Sequence, residues 1–336
     1  SMTVLALDRT SGRLIWSARS DDEIRNDLRE SVTGFRRNHM ADYRGVAATD
    51  EAVYAVFGQP SPYYRRHLGQ GRQEMVGAST SLVAIDAATG EVRWRVGPDA
   101  GDEALDMAFF QGTPVVCGDL VICIARRLQQ SRFQDAYLIA VDRRTGAPVW
   151  QRHLSSAMPT MQHHLGVNPA HLLEHDGLIY IADNVGAVVC LDGRSGQMRW
   201  LRVVPVADDV EQLRRSRPSL QPPWSVDVPV IVEAGLVVQP YRDDGQGLLL
   251  DPLTGETIRT LRTRAITDAD YLLPAGDDIL SVDSIVTLLD GRTLEPKWSR
   301  TLAEPAARAA VTTEVALIPT STSKVHVLDL KDGSER

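Results

Sequence analysis

Residues 84–94 read Ala-Ile-Asp-Ala-Ala-Thr-Gly-Glu-Val-Arg-Trp, and residues 140–150 read Ala-Val-Asp-Arg-Arg-Thr-Gly-Ala-Pro-Val-Trp. An Asp is followed four residues on by Gly and eight residues on by Trp. The same spacing stands at Asp8/Gly12/Trp16, Asp86/Gly90/Trp94, Asp142/Gly146/Trp150 and Asp192/Gly196/Trp200. It decays to Asp251/Gly255/Arg259 and to Asp290/Leu294/Trp298, and the last copy is Asp329/Gly333. Five of the six Trp fall in register, so a structural repeat has to be read before any local motif.

Each copy has a physical reading. An apolar, β-branched run such as Ser81–Ile85 or Leu138–Val141 precedes the Asp and favours a strand. The Asp carboxylate can accept N–H groups of the turn after it. The Gly supplies the positive φ that closes a tight hairpin. The Trp sits on the return strand, where burying it against a neighbour removes about 150–250 Å² from water. Asp8, Asp86, Asp142, Asp192 and Asp290 are therefore expected to be structural, as are Trp16, Trp94, Trp150, Trp200 and Trp298, and none of these Trp is a substrate platform. A second hairpin precedes most copies, turning at 49–51, Gly118-Asp119 and 175–177, with later ones in 230–239, 269–282 and 309–318. Two hairpins make a four-stranded sheet of about 40 residues, the size of a propeller blade. Ring closure protects the sheet edges that a linear stack would leave open.

These repeats resemble the pyrroloquinoline-quinone-type (PQQ-like) β-propeller family, whose docking motif is A-x-D-x-x-T-G-x-x-x-W. Residues 84–94 and 140–150 match it well; 6–16 and 188–200 match with Ser before the Gly. The expected fold is thus all-β, one β-propeller over residues 1–336 built from four-stranded antiparallel blades. Seven blades are expected, with eight in a longer protein as the alternative. The blade motifs lie at 8–16, 86–94, 142–150, 192–200, 251–259, 290–298 and 329–336. The resemblance implies either of two functional classes. The family includes quinoprotein alcohol dehydrogenases, which hold PQQ with calcium. It also includes the non-catalytic propeller lipoprotein of the outer-membrane β-barrel assembly machine. Its members imply a bacterial, extracytoplasmic setting, periplasmic or at the cell surface.

Composition narrows the field. The chain has 336 residues and a formal charge of -8, which argues against general nucleic-acid or anionic-membrane binding. No apolar run approaches the roughly 20 residues of a membrane helix. No secretory signal stands at the start, and Ser1-Met2 has the look of a scar from tag cleavage, so the native ends are expected to lie beyond this sequence. Three cysteines without CxxC make neither a disulfide framework nor a Cys-based zinc site; Cys117 and Cys123 are expected to be free core thiols.

Extra sequence accumulates between copies at 18–43, 58–80, 97–112, 125–136, 152–167 and 203–227. In a propeller all of these fall on one face, in links between second and third strands or between blades. Binding residues tend to sit on such elaborations. Short helices are expected at Asp21–Glu30 and Ala207–Arg215. Segments 18–43, 58–79, 125–136 and 203–227 hold 14 of the 33 Arg against 12 acids, in a chain with only three Lys. Tyr63 beside Arg65, Arg66 and His67, and Arg214 and Arg215 near Trp224, are the sharpest clusters. Guanidinium groups suit carboxylate or phosphate ligands and stack on aromatic rings. Solvated surface charge is the plainer reading of the same residues. A second candidate set opens the innermost strands: Arg44, Thr113, Asn168, Asp227 or Val228, Asp270 and Arg308. They would converge at the mouth of a central channel.

The enzymatic reading lacks its markers. The family's alcohol dehydrogenases have a vicinal Cys pair over the quinone and a Trp beneath it; this chain has no adjacent Cys, and Trp224 is the one Trp outside the repeat. Asp183-Asn184, Asn168 and Asp270 have calcium-compatible oxygens but do not match the family's ligand motif. There is no haem-attachment motif, G-x-S-x-G, HExxH or P-loop. His163-His164 read as loop surface. Met107, Phe109 and Phe110 either line a pocket or anchor the 97–112 loop. The sequence therefore points to a binding or scaffolding propeller that needs no cofactor or metal. Its partner would be a protein or small anionic ligand on the elaborated face, with oligomeric state open.

Overall fold

The computed structural model describes residues 3–8, 10–19, 45–59, 63–66, 73–76, 79–97, 108–129, 133–157, 171–183, 187–204, 229–241, 246–303, 305 and 308–336. The chain divides into two compact units, residues 1–167 with 194–196, and residues 168–193 with 197–336. The first contains β1 (Thr3–Leu7) and β2 (Leu14–Arg19), then β3 (Ala47–Ala48), β4 (Ala52–Gln59), β5 (Tyr63–Arg66), β6 (Gln73–Val76), β7 (Ser79–Asp86) and β8 (Val92–Val96), then β9 (Ala108–Cys117), β10 (Leu120–Gln129), β11 (Phe133–Asp142) and β12 (Pro148–Ala157). The second contains β13 (Leu172–His175), β14 (Leu178–Asp183), β15 (Ala187–Asp192) and β16 (Met198–Val203), then β17 (Val230–Val232), β18 (Gly235–Tyr241), β19 (Gln246–Leu250) and β20 (Thr257–Leu261). After one helical turn, α1 (Arg264–Thr267), come β21 (Tyr271–Ala275), β22 (Asp278–Val282), β23 (Ile285–Leu289) and β24 (Pro296–Thr301), and then β25 (Ala310–Val311), β26 (Val315–Pro319) and β27 (Val325–Asp329).

Sheets β3-β4-β7-β8, β9–β12, β13–β16, β17–β20 and β21–β24 are four-stranded antiparallel meanders; β25–β27 has three strands, and β1–β2 and β5–β6 have two each. Apolar clusters lie between successive sheets. In the first unit Trp16 and Ala18 pack with Phe57, Val83 and Ile85, and Tyr54, Leu82 and Trp94 pack with Phe110, Val121 and Ile139. In the second, Tyr180 and Cys190 pack with Leu236 and Leu250, Leu249 with Leu272 and Leu289, and Leu280 with Ile318 and Leu328. Each fully buried aliphatic or aromatic side chain contributes about 1.5–3 kcal/mol. The cysteines are free and buried, and burial pushes the Cys123 thiol up to about 12.

The Asp-Gly-Trp repeat is the hinge of this packing. Asp86 Oδ1 accepts Ala88 and Thr89 N–H, both at 2.9 Å, and Asp290 Oδ1 accepts Arg292 and Thr293 N–H at 3.1 and 2.8 Å. A bidentate Arg93 completes Asp86 through its second oxygen. The Arg93 bond first, then the turn N–H groups, hold Asp86 down at about 2; for Asp290 the Thr293 N–H comes first, and the result is again about 2. The Gly then turns left-handed, at φ +77° for Gly90 and +74° for Gly146. Its missing side chain makes room for the Trp of the preceding copy: a methyl at Gly90 would stand 2.8 Å from the Trp16 ring, and one at Gly146 2.8 Å from the Trp94 ring. The indole N–H donates to the carbonyl just after the next Asp, in Trp16→Ala87 and Trp94→Arg143 in the first unit and Trp200→Pro252 and Trp298→Leu330 in the second. The degenerate copies complement each other. Arg259 replaces a Trp, and in the following copy Leu294 occupies the Gly position at φ +63°, almost fully buried.

Three sequence expectations change. Segment 125–136 is not a loop: β10 and β11 pair without a bulge from Leu120↔Asp142 to Gln129↔Phe133. Segments 97–112, 152–167 and 58–80 are likewise part strand, because β9 begins at Ala108, β12 runs to Ala157, and β5 and β6 form their own ribbon between β4 and β7. Thr113 does not open an innermost strand but lies inside β9, where its hydroxyl accepts Gly45 N–H at 2.9 Å. Of the two roles open to Phe110 in the sequence, anchoring is the one that fits, since it is wholly buried in the core of the first unit. The helices expected at Asp21–Glu30 and Ala207–Arg215, and His163-His164, lie outside the described residues.

Candidate binding site

The sheet β9–β12 stands out by length. All four strands have ten residues, whereas the other outermost strands β2, β8, β16, β20 and β24 have five or six. The added length is at one end, made by Arg126–Gln129, Phe133–Ala136 and His153–Ala157 together with the start of β9. Successive residues of a strand face opposite ways, so Arg126 and Arg127 serve opposite faces. Arg126 is almost completely buried and its Nε donates to the Gln111 side-chain carbonyl at 3.0 Å.

The opposite face carries a polar ladder across β10, β11 and β12. Arg127 is the cross-strand neighbour of Asp135, which is the neighbour of Ser156. The Ser156 hydroxyl donates to Asp135 Oδ1 at 2.6 Å, and the Tyr137 hydroxyl reaches Asp135 Oδ2 at 3.5 Å. His153 Nε2 lies 3.0 Å from Ser156 Oγ and 3.8 Å from Asp135 Oδ1. The His153 ring meets the Tyr137 ring edge-on at 5.2 Å, and the Arg127 guanidinium stands 5.2 Å above the same Tyr137 ring. Burial, then the Asp135 charge, raises the Tyr137 hydroxyl above its ordinary value. Asp135 is only 4% exposed, whereas half of the His153 side chain meets solvent. Ser, His and Asp here do not make a catalytic relay. A relay needs the acid on one imidazole nitrogen and the hydroxyl on the other. Here both approach Nε2, and Ser156 donates straight to the carboxylate. The arrangement braces the end of β12.

The second unit gathers a smaller polar group where its innermost strands begin. His171 directly precedes β13, Asp270 precedes β21 and Arg308 precedes β25. The Arg308 guanidinium stacks on the Tyr271 ring at 5.1 Å and its Nη2 donates to Leu272 O at 3.4 Å. The Tyr271 hydroxyl accepts Ala309 N–H at 2.8 Å. His171 is 2% exposed; burial first, and the Arg308 charge second, lower it to about 3, so it is neutral at physiological pH. Asp270 donates its own N–H to Val282 O at 2.9 Å.

The structure thus places two of the expected channel residues, Asp270 and Arg308, at strand openings. Tyr63, Arg65 and Arg66 lie on β5, with backbone partners Val76, Glu74 and Gln73. Arg44, His67, Asn168, Arg214, Arg215 and Trp224 lie outside the described residues, as do Asp227 and Val228. Sequence reasoning missed His171, Tyr271 and the Arg127–Asp135–Tyr137–His153–Ser156 ladder. The mirror pairing of 120–129 with 133–142 about a short turn was the signal for the ladder. Among the described residues no three His, Cys, Asp or Glu side chains group to hold a metal, and no helix is long and apolar enough to cross a membrane.

The family model described as outer membrane protein assembly factor BamB matches residues 1–220. Among solved structures the chain is similar to BamB from Moraxella catarrhalis, at 19% identity over 90% of this chain and 85% of that one, with a TM-score of 0.48. It is similar to the quinohemoprotein alcohol dehydrogenase of Comamonas testosteroni at 13% identity, over 99% of this chain but 63% of that one, with a TM-score of 0.57. It is also similar to a europium-containing methanol dehydrogenase at 12% identity, over 99% of this chain and 74% of that one, with a TM-score of 0.56. No curated protein sequence matches. At such identities the two dehydrogenase likenesses establish the fold, a β-propeller, and nothing of activity. With its family model covering residues 1–220 and its sheets built from the PQQ-like Asp-Gly-Trp repeat, this chain belongs to the outer membrane protein assembly factor BamB family.

Proposed function

We propose that the chain is a non-catalytic, protein-binding β-propeller scaffold that works outside the cytoplasm. The observation that carries this reading is the lengthened end of the β9–β12 sheet. It lies within segments added between copies of the repeat and presents Arg127, Tyr137, His153 and Ser156 in one braced array. Rigid polar and aromatic side chains held in place are what protein interfaces use, because little side-chain freedom is lost on binding. BamB relatives are assembly factors by name, which agrees with a protein partner. The Arg-rich insertions favour a partner surface bearing carboxylates or phosphates.

The quinoprotein alternative fits the described residues poorly. The Trp seats of the repeat are taken up by packing: Trp16, Trp94, Trp150, Trp200 and Trp298 each lie against the next copy's glycine. Cys117, Cys123 and Cys190 sit buried on β9, β10 and β15, with no two adjacent. The stacking Trp and paired Cys of those enzymes therefore have no counterpart among the described residues.

A photocrosslinking amino acid at position 156 tests the scaffold. The proposal expects a discrete protein adduct from that site in living cells and none from the same residue at Leu253, an exposed turn position in the second unit. Equal adducts at both sites, or none at 156, would overturn it.

A further inference from the structure

In every later copy of the repeat the residue just before the Asp is buried: Ile85, Val141, Leu191, Leu250, Leu289 and Leu328 are each at most 1% exposed. The first copy breaks this rule. Leu7, directly before Asp8, is 55% exposed, and Leu5, on the same face of β1, is 56% exposed. Their counterparts in the second copy, Ile85 and Val83, pack under Trp16 and Ala18, and those in the third, Val141 and Ile139, pack with Trp94 and Val96. Leu14 and Ile15 on β2 are exposed as well, but so are Val92 and Val149 at the same places in other copies, so they mark nothing unusual.

The glycines divide in the same way. A methyl built on Gly90, Gly146, Gly196, Gly255 or Gly333 would stand 2.5–2.8 Å from the indole of the preceding copy, whereas one on Gly12 meets nothing within 4 Å. The turn at Gly12 is nonetheless complete. Asp8 Oδ1 accepts Ser11 N–H at 2.6 Å and Thr10 N–H at 3.2 Å, Gly12 N–H donates to Asp8 O at 2.8 Å, and Gly12 has φ +67°. The receiving half of the docking motif is thus assembled on the β1–β2 sheet and faces solvent. The other copies show what chemistry such a seat takes. An indole lies over the glycine. Two residues on comes an apolar side chain, Ala18 or Val96, or an arginine that donates to the glycine carbonyl, as Arg152 does to Gly196 O and Arg300 to Gly333 O, both at 2.8 Å. The five repeat Trp of this chain are each seated against a later glycine, and so are those of any second copy.

We infer that the Leu5–Leu7–Gly12 face of the β1–β2 sheet is a docking site for a β-strand of a partner polypeptide that carries a Trp, with an apolar or Arg residue two positions on. The indole lies over Gly12, and the strand that bears it covers Leu5 and Leu7. Trp and Arg are the side chains in which interfaces concentrate their affinity. The site goes beyond the scaffold reading, lies on a sheet other than β9–β12, and stands or falls separately from that reading.

The test uses the full chain and a probe copied from its own repeat: residues 81–97, the β7–β8 hairpin with Trp94, closed by a disulfide between cysteines added at its two ends so that it is ordered before binding. Saturable binding is expected in calorimetry, with amide exchange in β1 and β2 slowed at least tenfold and β24 unchanged. A hairpin with Trp94→Ala should bind at least tenfold more weakly, and so should the unmodified hairpin to the full-chain variant Leu7→Glu. Leu7 is exposed, so that variant should keep its thermal midpoint; the altered hairpin needs no variant protein at all. No binding, equal binding of the Trp94→Ala hairpin, indifference to Leu7→Glu, or protection elsewhere than β1 and β2 would overturn the proposal. A concentration-dependent dimer in sedimentation that Leu7→Glu abolishes would make a second copy the occupant. Faster exchange in β1 of a Trp224→Phe variant would make a loop of this chain the occupant. Either result also overturns it. If the hairpin fails while a crosslinker at 156 still captures a protein, the scaffold stands and the Trp-docking inference falls.

Discussion

Replacing Gly146 with Ala should cost far more than replacing Gly12 with Ala, although both glycines close the same turn. Their φ values are +74° and +67°, so either alanine bears the left-handed penalty of about 1–2 kcal/mol. The surroundings differ. A methyl on Gly146 would meet Trp94 Cδ2 at 2.8 Å, Trp94 Cε3 at 2.9 Å and Val96 Cγ2 at 3.0 Å, whereas one on Gly12 meets nothing within 4 Å. Trp94 cannot retreat freely. It is buried, and its indole N–H is tied to Arg143 O at 3.0 Å. Overpacking of this kind costs about 1–3 kcal/mol. The expected losses are therefore about 1–2 kcal/mol for Gly12→Ala and about 2–5 kcal/mol for Gly146→Ala. Urea unfolding followed by tryptophan fluorescence reads both. In a Trp94→Ala background, Gly146→Ala should fall most of the way to the Gly12 value, with only the Val96 contact at 3.0 Å left. Equal losses at the two glycines, or a Gly146 penalty that persists without the indole, would refute the idea that each Trp dictates the next glycine.

Other consequences can be measured alongside. Arg259→Trp alone should destabilise, because Leu294 fills the seat the indole needs; pairing it with Leu294→Gly should recover about 1–3 kcal/mol of coupling in a double-mutant cycle, and strict additivity would count against the complementarity. Asp86 and Asp290 are held at about 2 against an ordinary 3.8, so their contribution to stability is complete above about pH 4 and disappears as pH falls through 2. Urea midpoints taken from pH 6 down to 2 should decline over that window, and Asp86→Asn should flatten the decline. Asp135→Asn removes the charge under Ser156 while keeping its shape. Amide exchange at 153–157 should then report local opening easier by roughly 1.5–3 kcal/mol, with the thermal midpoint of the chain nearly unchanged; a global loss instead would make Asp135 a core residue.

How much of this was legible depends on the range of the interactions. The Asp-Gly-Trp turn is local: a carboxylate meeting N–H groups two and three residues on and a glycine at positive φ leave their mark in nine residues. The sheets follow from it. The lengthened strands did not show, because Arg126-Arg127-Leu128-Gln129 and Phe133-Gln134-Asp135 lack the regular apolar–polar alternation that marks a strand in the sequence. The ladder on Asp135 joins residues about twenty apart through strand register, which composition does not encode. Among the inner-strand residues, Asp270 stands directly before β21 and Arg308 two residues before β25, the positions the sequence reading expected for them. Thr113 was misplaced because β9 starts five residues earlier than its core pattern suggests.

The central claim is that the repeat here is architecture for a binding scaffold and not a cradle for a redox quinone. The direct test is a calorimetric titration of the full chain with pyrroloquinoline quinone, with and without calcium. The account predicts no saturable heat in either case. Saturable, calcium-dependent, submicromolar binding would contradict it and turn attention to the strand openings around Asp270 and Arg308.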